Sequence, residues 1–182
     1  AHIADAPDSR MADGTPYVGH LRLDSPWGAF EFACVSMGNP HAVCLVDDWA
    51  ALPDELFPAG AEKSLSTLRI DLPGPFFETH PAFPEKTNVE FASVTDEGIA
   101  MRVWERGCGE TLACGTGACA VTAAAVWQGY CRYDVNVEVR QPGGILTTAY
   151  LADGRMLMEG PTEYVFEGYF DIPIASFYNG AR

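Results

Sequence analysis

A run of small and apolar side chains over residues 113–127 decides the architecture before anything else is read. Ala118, Cys119, Ala120, Val121, Ala123, Ala124, Ala125 and Val126 would clothe a helix on nearly every side. A helix without a polar face belongs inside a fold. The run falls short of the roughly 20 residues needed to cross a bilayer. The glycine-rich stretch 105–114 reads as a loop feeding a helix over about 115–128, with Gly129 as its C-terminal stop.

The rest of the chain reads as short elements, in keeping with 18 glycines and 13 prolines. Apolar β-formers or alternating patterns mark strands at 29–37, 41–46, 87–95, 99–104, 136–140, 145–151 and 156–159. Asp96-Glu97-Gly98, Pro142-Gly143-Gly144 and Asp153-Gly154 supply turns between them. Short helices are expected within 47–59 and 62–69, a proline-rich loop over 71–84, and a last strand pair or bend at 164–172. The sum is an α+β domain, a mostly antiparallel or mixed sheet wrapped around a central buried helix. Residues 1–28 are expected to be a lead-in segment or linker with the first strand region, 29–173 the domain, and 174–182 a tail.

The net charge of −14 argues against nucleic acid and anionic membrane surfaces, both of which need basic patches. The N-terminus lacks a basic-then-apolar signal pattern, so a cytoplasmic protein with reduced thiols is expected. Six cysteines are present, at 34, 44, 108, 114, 119 and 131. None forms a C-x2-C pair, so no zinc site or other metal is expected.

Cys114 stands at the start of the buried helix, where amides lack intrahelical partners and the macrodipole is positive. That placement is expected to favour thiolate over thiol. The same amides can hold a carboxylate, and Gly115-Thr116-Gly117 lets it approach. A base beside an anion cradle suits removal of a proton from the α-carbon of a carboxylic acid. The plainer alternative is that Cys114 is a small buried apolar residue. His41 could be a satisfied core histidine, Asn39 a turn residue, Asn88 the start of a strand, and Glu105 and Arg106 a solvated pair. Cys108 lies close enough in sequence to Cys114 for an adventitious disulfide.

The segment Glu105-Arg106-Gly107-x-Gly109-x-Thr111-x-Ala113-Cys114-Gly115-Thr116-Gly117 resembles the signature of diaminopimelate epimerases. Gly38-Asn39-Pro40-His41, Thr87-Asn88-Val89-Glu90-Phe91 and Gly160-Pro161 with Val165-Phe166-Glu167-Gly168 resemble further motifs of that family, in the same order, over 35–172. The resemblance implies one half of a two-domain fold that interconverts LL- and meso-diaminopimelate, a lysine and cell-wall precursor, without pyridoxal phosphate or any other cofactor. Two cysteines there face opposite sides of the α-carbon, one from each domain. It implies that Cys114 is one of them, that Glu105 and His41 lie near the reacting centre, and that Gly115 and Thr116 hold the reacting carboxylate. Asn39, Asn88 and Arg106 would bind the far end of the amino-acid substrate.

The family's other cysteine motif is absent from this sequence. The expectation is therefore a C-terminal domain whose partner is the N-terminal domain of the same parent chain. Alone it would be nearly inactive, with an open cleft face that invites self-association. Three alternatives stay open: a racemase of the proline type, a cysteine hydrolase or transferase, and a non-catalytic binding or assembly module on the same fold.

Overall fold

A computed structural model describes residues 9–10 and 16–171. Among these residues ten strands form one mixed sheet. In chain order they are β1 (Ser9–Arg10), β2 (Pro16–Ser25), β3 (Gly28–Ser36), β4 (Pro40–Leu45), β5 (Asn88–Thr95), β6 (Gly98–Glu105), β7 (Gly109–Thr111), β8 (Val137–Gln141), β9 (Gly144–Tyr150) and β10 (Met156–Glu159). The order across the sheet is β1-β2-β3-β4-β5-β6-β8-β9-β10, with β7 paired to β6. Two pairings are parallel, β4 with β5 and β6 with β8; the others are antiparallel.

Parallel neighbours need crossovers, and each crossover covers one face of the sheet. Between β6 and β8 runs the helix α2 (Gly115–Trp127), which packs on β3, β4, β5, β6, β8, β9 and β10. Its inner residues are mostly Ala, so the strands come close on several sides. Ala118, Ala120, Val121, Ala123, Ala124 and Ala125 meet Ala33, Val35, Val43, Ala92, Ile99, Met101, Val103, Val137 and Val139. This is the all-round apolar helix the sequence demands, enclosed by the sheet.

The connection between β4 and β5 covers the opposite face. It contains two short 3-10 turns, at Trp49–Ala51 and Asp54–Leu56, and the helix α1 (Pro73–Glu78). Leu56, Phe57, Leu68, Ile70, Phe77 and Phe83 pack there on Phe30, Phe32, Val89 and Phe91. Phe32, Phe77 and Phe91 are fully buried, each worth about 2–3 kcal/mol of apolar transfer.

Four local expectations need correction. The first strand region expected within 1–28 is β2 at 16–25, which is part of the domain rather than of a linker: it pairs with β3 and gives Val18, Leu21 and Leu23 to the core. Residues 62–69 turn without forming a helix. The proline-rich loop holds α1 instead, because Pro73 at the first helical position needs no amide donor and has the right φ. Residues 160–171 carry no regular structure and are exposed, since among the described residues no strand pairs with them. The tail expected at 174–182 lies outside the described residues. No helix among the described residues is long and apolar enough to cross a membrane.

Candidate active site

Strand alternation brings the site together. On β4 and β5, Ala42, Cys44, Val89 and Phe91 face α1. Their neighbours His41, Val43, Glu90 and Ala92 therefore face α2. The parallel register sets His41 beside Asn88 and Val43 beside Glu90. Glu90 in turn pairs across with Val103 of β6, and Glu105 ends that strand on the same face. The N-terminus of α2 points into this group.

Cys114 caps α2 in extended backbone, φ −138 and ψ 112, and its sulfur accepts from the Gly117 amide at 3.3 Å. The Thr116 hydroxyl lies 3.5 Å from the same sulfur. The Cys114 amide donates to Gln141 Oε1 at 2.7 Å. A side chain at Gly117 would be tightly held: a Cβ there would sit 3.1 Å from Glu90 Oε1 and 3.3 Å from Cys114 Sγ. The Glu90 carboxyl group and the thiol thus face each other across a missing side chain.

Behind the thiol lies a polar chain, buried at His41 and Glu90 and half-buried at Asn39 and Thr116. His41 and Glu90 have side chains with 0% exposure, and Nδ1 lies 2.6 Å from Oε1. His41 Nε2 is 3.1 Å from Asn39 Oδ1, and Asn39 Nδ2 donates to Thr116 Oγ1 at 3.2 Å. Burial pushes the Glu90 carboxyl above its ordinary range against the opposing pull of His41. The Cys114 thiol is also raised: burial above all, with the charge of Glu105, outweighs the donors Thr116 and Gly117. This corrects the expectation that the helix terminus favours the thiolate. The helix end supplies its donor, but desolvation is the larger effect.

The other thiols are differently placed. None of the six cysteines is joined in a disulfide. Cys44 is buried and pushed up to about 12. Cys119 and Cys131 are raised by burial, and Cys108 is exposed. Cys114 alone combines a helix N-cap with neighbouring carboxylates and partly exposed glycine backbone at Gly115.

A model of the family described as diaminopimelate epimerase matches residues 33–165, well over half of the chain. The chain belongs to the diaminopimelate epimerase family. Curated diaminopimelate epimerases from Desulfitobacterium hafniense and Microcystis aeruginosa are similar to it. The first is 46% identical over 159 residues, covering 87% of this chain and 50% of that protein. The second is 48% identical over 141 residues, covering 76% and 44%. The chain spans about half the length of the curated relatives it matches. Among solved structures, a hydroxyproline epimerase from Agrobacterium vitis aligns with TM-score 0.49 and 16% identity over 76% of this chain and 43% of that one.

Of the residues expected at a diaminopimelate epimerase site, the structure gathers Cys114, Thr116, Asn39 and His41 into one hydrogen-bonded series. Glu105 accepts from the Thr111 hydroxyl at 2.5 Å. Asn88 is buried and joins two motifs: its Nδ2 donates to Pro40 O at 3.0 Å and its Oδ1 accepts the Arg106 amide at 2.8 Å. The Arg106 side chain is exposed and donates to the Glu85 carbonyl at 3.0 Å. Gly115 lies under Met158, whose Sδ would be 3.2 Å from a Cβ added there.

Two residues of the site were not expected from the sequence. Glu90 sits between Val89 and Phe91 and reads as the polar half of an alternating strand. Gln141 closes β8 just before a turn. Glu90 lies inside a segment that resembles a family motif, but its role, like that of Gln141, is revealed only by the three-dimensional pairing.

Proposed function

We propose that this chain supplies one of two acid/base thiols of a cofactor-independent epimerase that interconverts LL- and meso-diaminopimelate. The observation that carries this is the sulfur of Cys114 set at the N-terminus of α2, beside first-turn amides with no partner inside the helix. The amides of Gly115 and Thr116 hold the reacting carboxylate, and the thiolate exchanges the α-proton next to it. Glu105 and His41 stand near the reacting centre, and the free guanidinium edge of Arg106, with Asn39 and Asn88, meets the distal end of the substrate. A working free thiol fits the reducing cytoplasm.

Inversion requires a proton to leave one face and return on the other, so a second thiol comes from a partner domain. Family membership supports that reading, as do exposed apolar residues, of which Met158 lies over Gly115. Leu112, Leu157 and Met158 are exposed, as are Tyr164, Val165, Phe166, Tyr169 and Phe170. So many large apolar side chains left in solvent fit a face that a partner covers.

The test mixes this chain with the separately produced N-terminal half of a family member and follows LL-diaminopimelate by the loss of optical asymmetry. Activity is expected from the mixture and not from either piece, and Cys114→Ala abolishes it. A Cys114→Ala mixture that keeps the wild-type rate overturns the assignment, and so does full activity of this chain alone.

A further inference from the structure

The series Glu90, His41, Asn39, Thr116, buried at Glu90 and His41 and half-buried at Asn39 and Thr116, has an internal logic of donors and acceptors. Both ring nitrogens of His41 face oxygen: Glu90 Oε1 at 2.6 Å and Asn39 Oδ1 at 3.1 Å. The Asn39 oxygen has only lone pairs, so Nε2 must carry a hydrogen to bond it. Amide orientation follows from such neighbours. With Oδ1 turned to His41, the Asn39 NH2 group points the other way and donates to Thr116 Oγ1 at 3.2 Å. The Thr116 oxygen, now an acceptor on that side, has its own hydrogen free to aim at Cys114 Sγ, 3.5 Å away.

Glu90 completes the series at its far end. Its side chain has 0% exposure, and Oε2 is buried with no hydrogen-bond partner. A naked charge in such a place is costly, whereas a carboxyl that keeps a proton and gives it to His41 Nδ1 is not. That proton leaves His41 with hydrogen on Nε2. The raised Glu90 carboxyl agrees with this. The titratable groups packed around Glu90 are His41 from β4, Glu105 from β6 and Cys114 at the head of α2.

We infer that Asn39 is a positioning residue whose orientation, fixed by the Glu90–His41 pair, turns the Thr116 hydroxyl into a donor to the Cys114 sulfur. This goes beyond contact with substrate and rests on Cys114 being the working thiol. The hydroxyl stabilises the thiolate and withdraws when the sulfur takes a proton. Nothing in the series moves a proton through the Asn39 amide; it sets direction only.

The test needs no substrate, so its outcome is independent of whether the epimerase reading holds. Iodoacetamide alkylation of Cys114 in the whole chain is followed from pH 6 to 10, with peptides resolved by mass so that the other thiols do not interfere. Thr116→Val removes the hydroxyl and is expected to slow alkylation about tenfold at pH 8, the loss of one charge-assisted donor. Asn39→Asp replaces the donor by an acceptor, draws the Thr116 hydrogen away, and slows it similarly. In the Thr116→Val background, Asn39→Asp is expected to add little. An unchanged rate in Thr116→Val overturns the inference. An equal further slowing by Asn39→Asp in that background also overturns it, because the effect is then the new charge acting through space. Nitrogen NMR of His41 in the unmutated chain provides a check that no folding defect can obscure. A protonated Nε2 is expected at neutral pH, and a bare Nε2 overturns the inference.

Discussion

Gln141 Oε1 accepts the backbone N–H of Cys114 at 2.7 Å, tying the head of α2 to the end of β8. Without this bond the amide of the N-cap residue would be buried and unpaired. Gln141→Leu keeps the bulk and removes the acceptor. It is expected to lower stability by about 1–3 kcal/mol, the usual cost of an orphaned buried donor. Urea denaturation measures this, and a loss under ~0.5 kcal/mol would show that the bond contributes little.

Gly117 occupies the point where Glu90 and Cys114 converge. In Gly117→Ala two effects compete. Alanine gains about 1 kcal/mol of helix propensity over glycine. Its methyl group crowds Glu90 Oε1 and Cys114 Sγ, and overpacking costs about 1–3 kcal/mol. The expected net change in stability is therefore small, while the thiol is displaced. Gly115→Ala is the contrast, since its methyl meets the flexible end of Met158. Alkylation of Cys114 is expected to change several-fold in Gly117→Ala and much less in Gly115→Ala. Equal effects would remove the special status of position 117.

These two residues mark how far the sequence carries. The buried helix was legible because eight apolar residues leave it no polar face, and the strands because their alternation is regular. Cys114 was legible from its glycines and its place at the helix start. Glu90 and Gln141 were not, since each matters through a partner 49 or 27 residues away. The helix α1 was hidden by its own prolines, which read as loop until Pro73 is seen to start the helix. The raised thiol was hidden for a related reason: a helix terminus is visible in sequence, but the carboxylates packed against it are not.

Glu78 pins the loop that carries Arg106. It accepts from Trp104 Nε1 at 2.8 Å and from the Gly107 amide at 3.0 Å, with Lys86 at 3.5 Å. Burial raises its carboxyl, but these donors together outweigh burial and leave it below the ordinary range. A depressed carboxyl stabilises the fold above its unfolded pKa, roughly 4.3, and that stability is lost as pH falls through the folded value. Glu78→Gln is therefore expected to flatten the acid side of the stability curve below about pH 4.3. Urea midpoints across pH 2.5–7 test this; identical acid slopes in both proteins would place the linkage elsewhere.

The ionisation of Cys114 is the most direct check on the electrostatics of the site. Its sulfur receives the Gly117 amide at 3.3 Å, which favours thiolate, yet burial and the charge of Glu105 push the other way and prevail. Alkylation of Cys114 should therefore rise with pH through a midpoint above the ordinary thiol value of roughly 8.5. Glu105→Gln removes one of the opposing charges and keeps a side-chain oxygen for the Thr111 hydroxyl. It is expected to move that midpoint downward and to speed alkylation at pH 8. If the unmutated thiol titrates below the ordinary value, the helix terminus outweighs desolvation after all. If Glu105→Gln moves the midpoint upward, Glu105 acts on Cys114 through the Thr111 loop rather than through its charge.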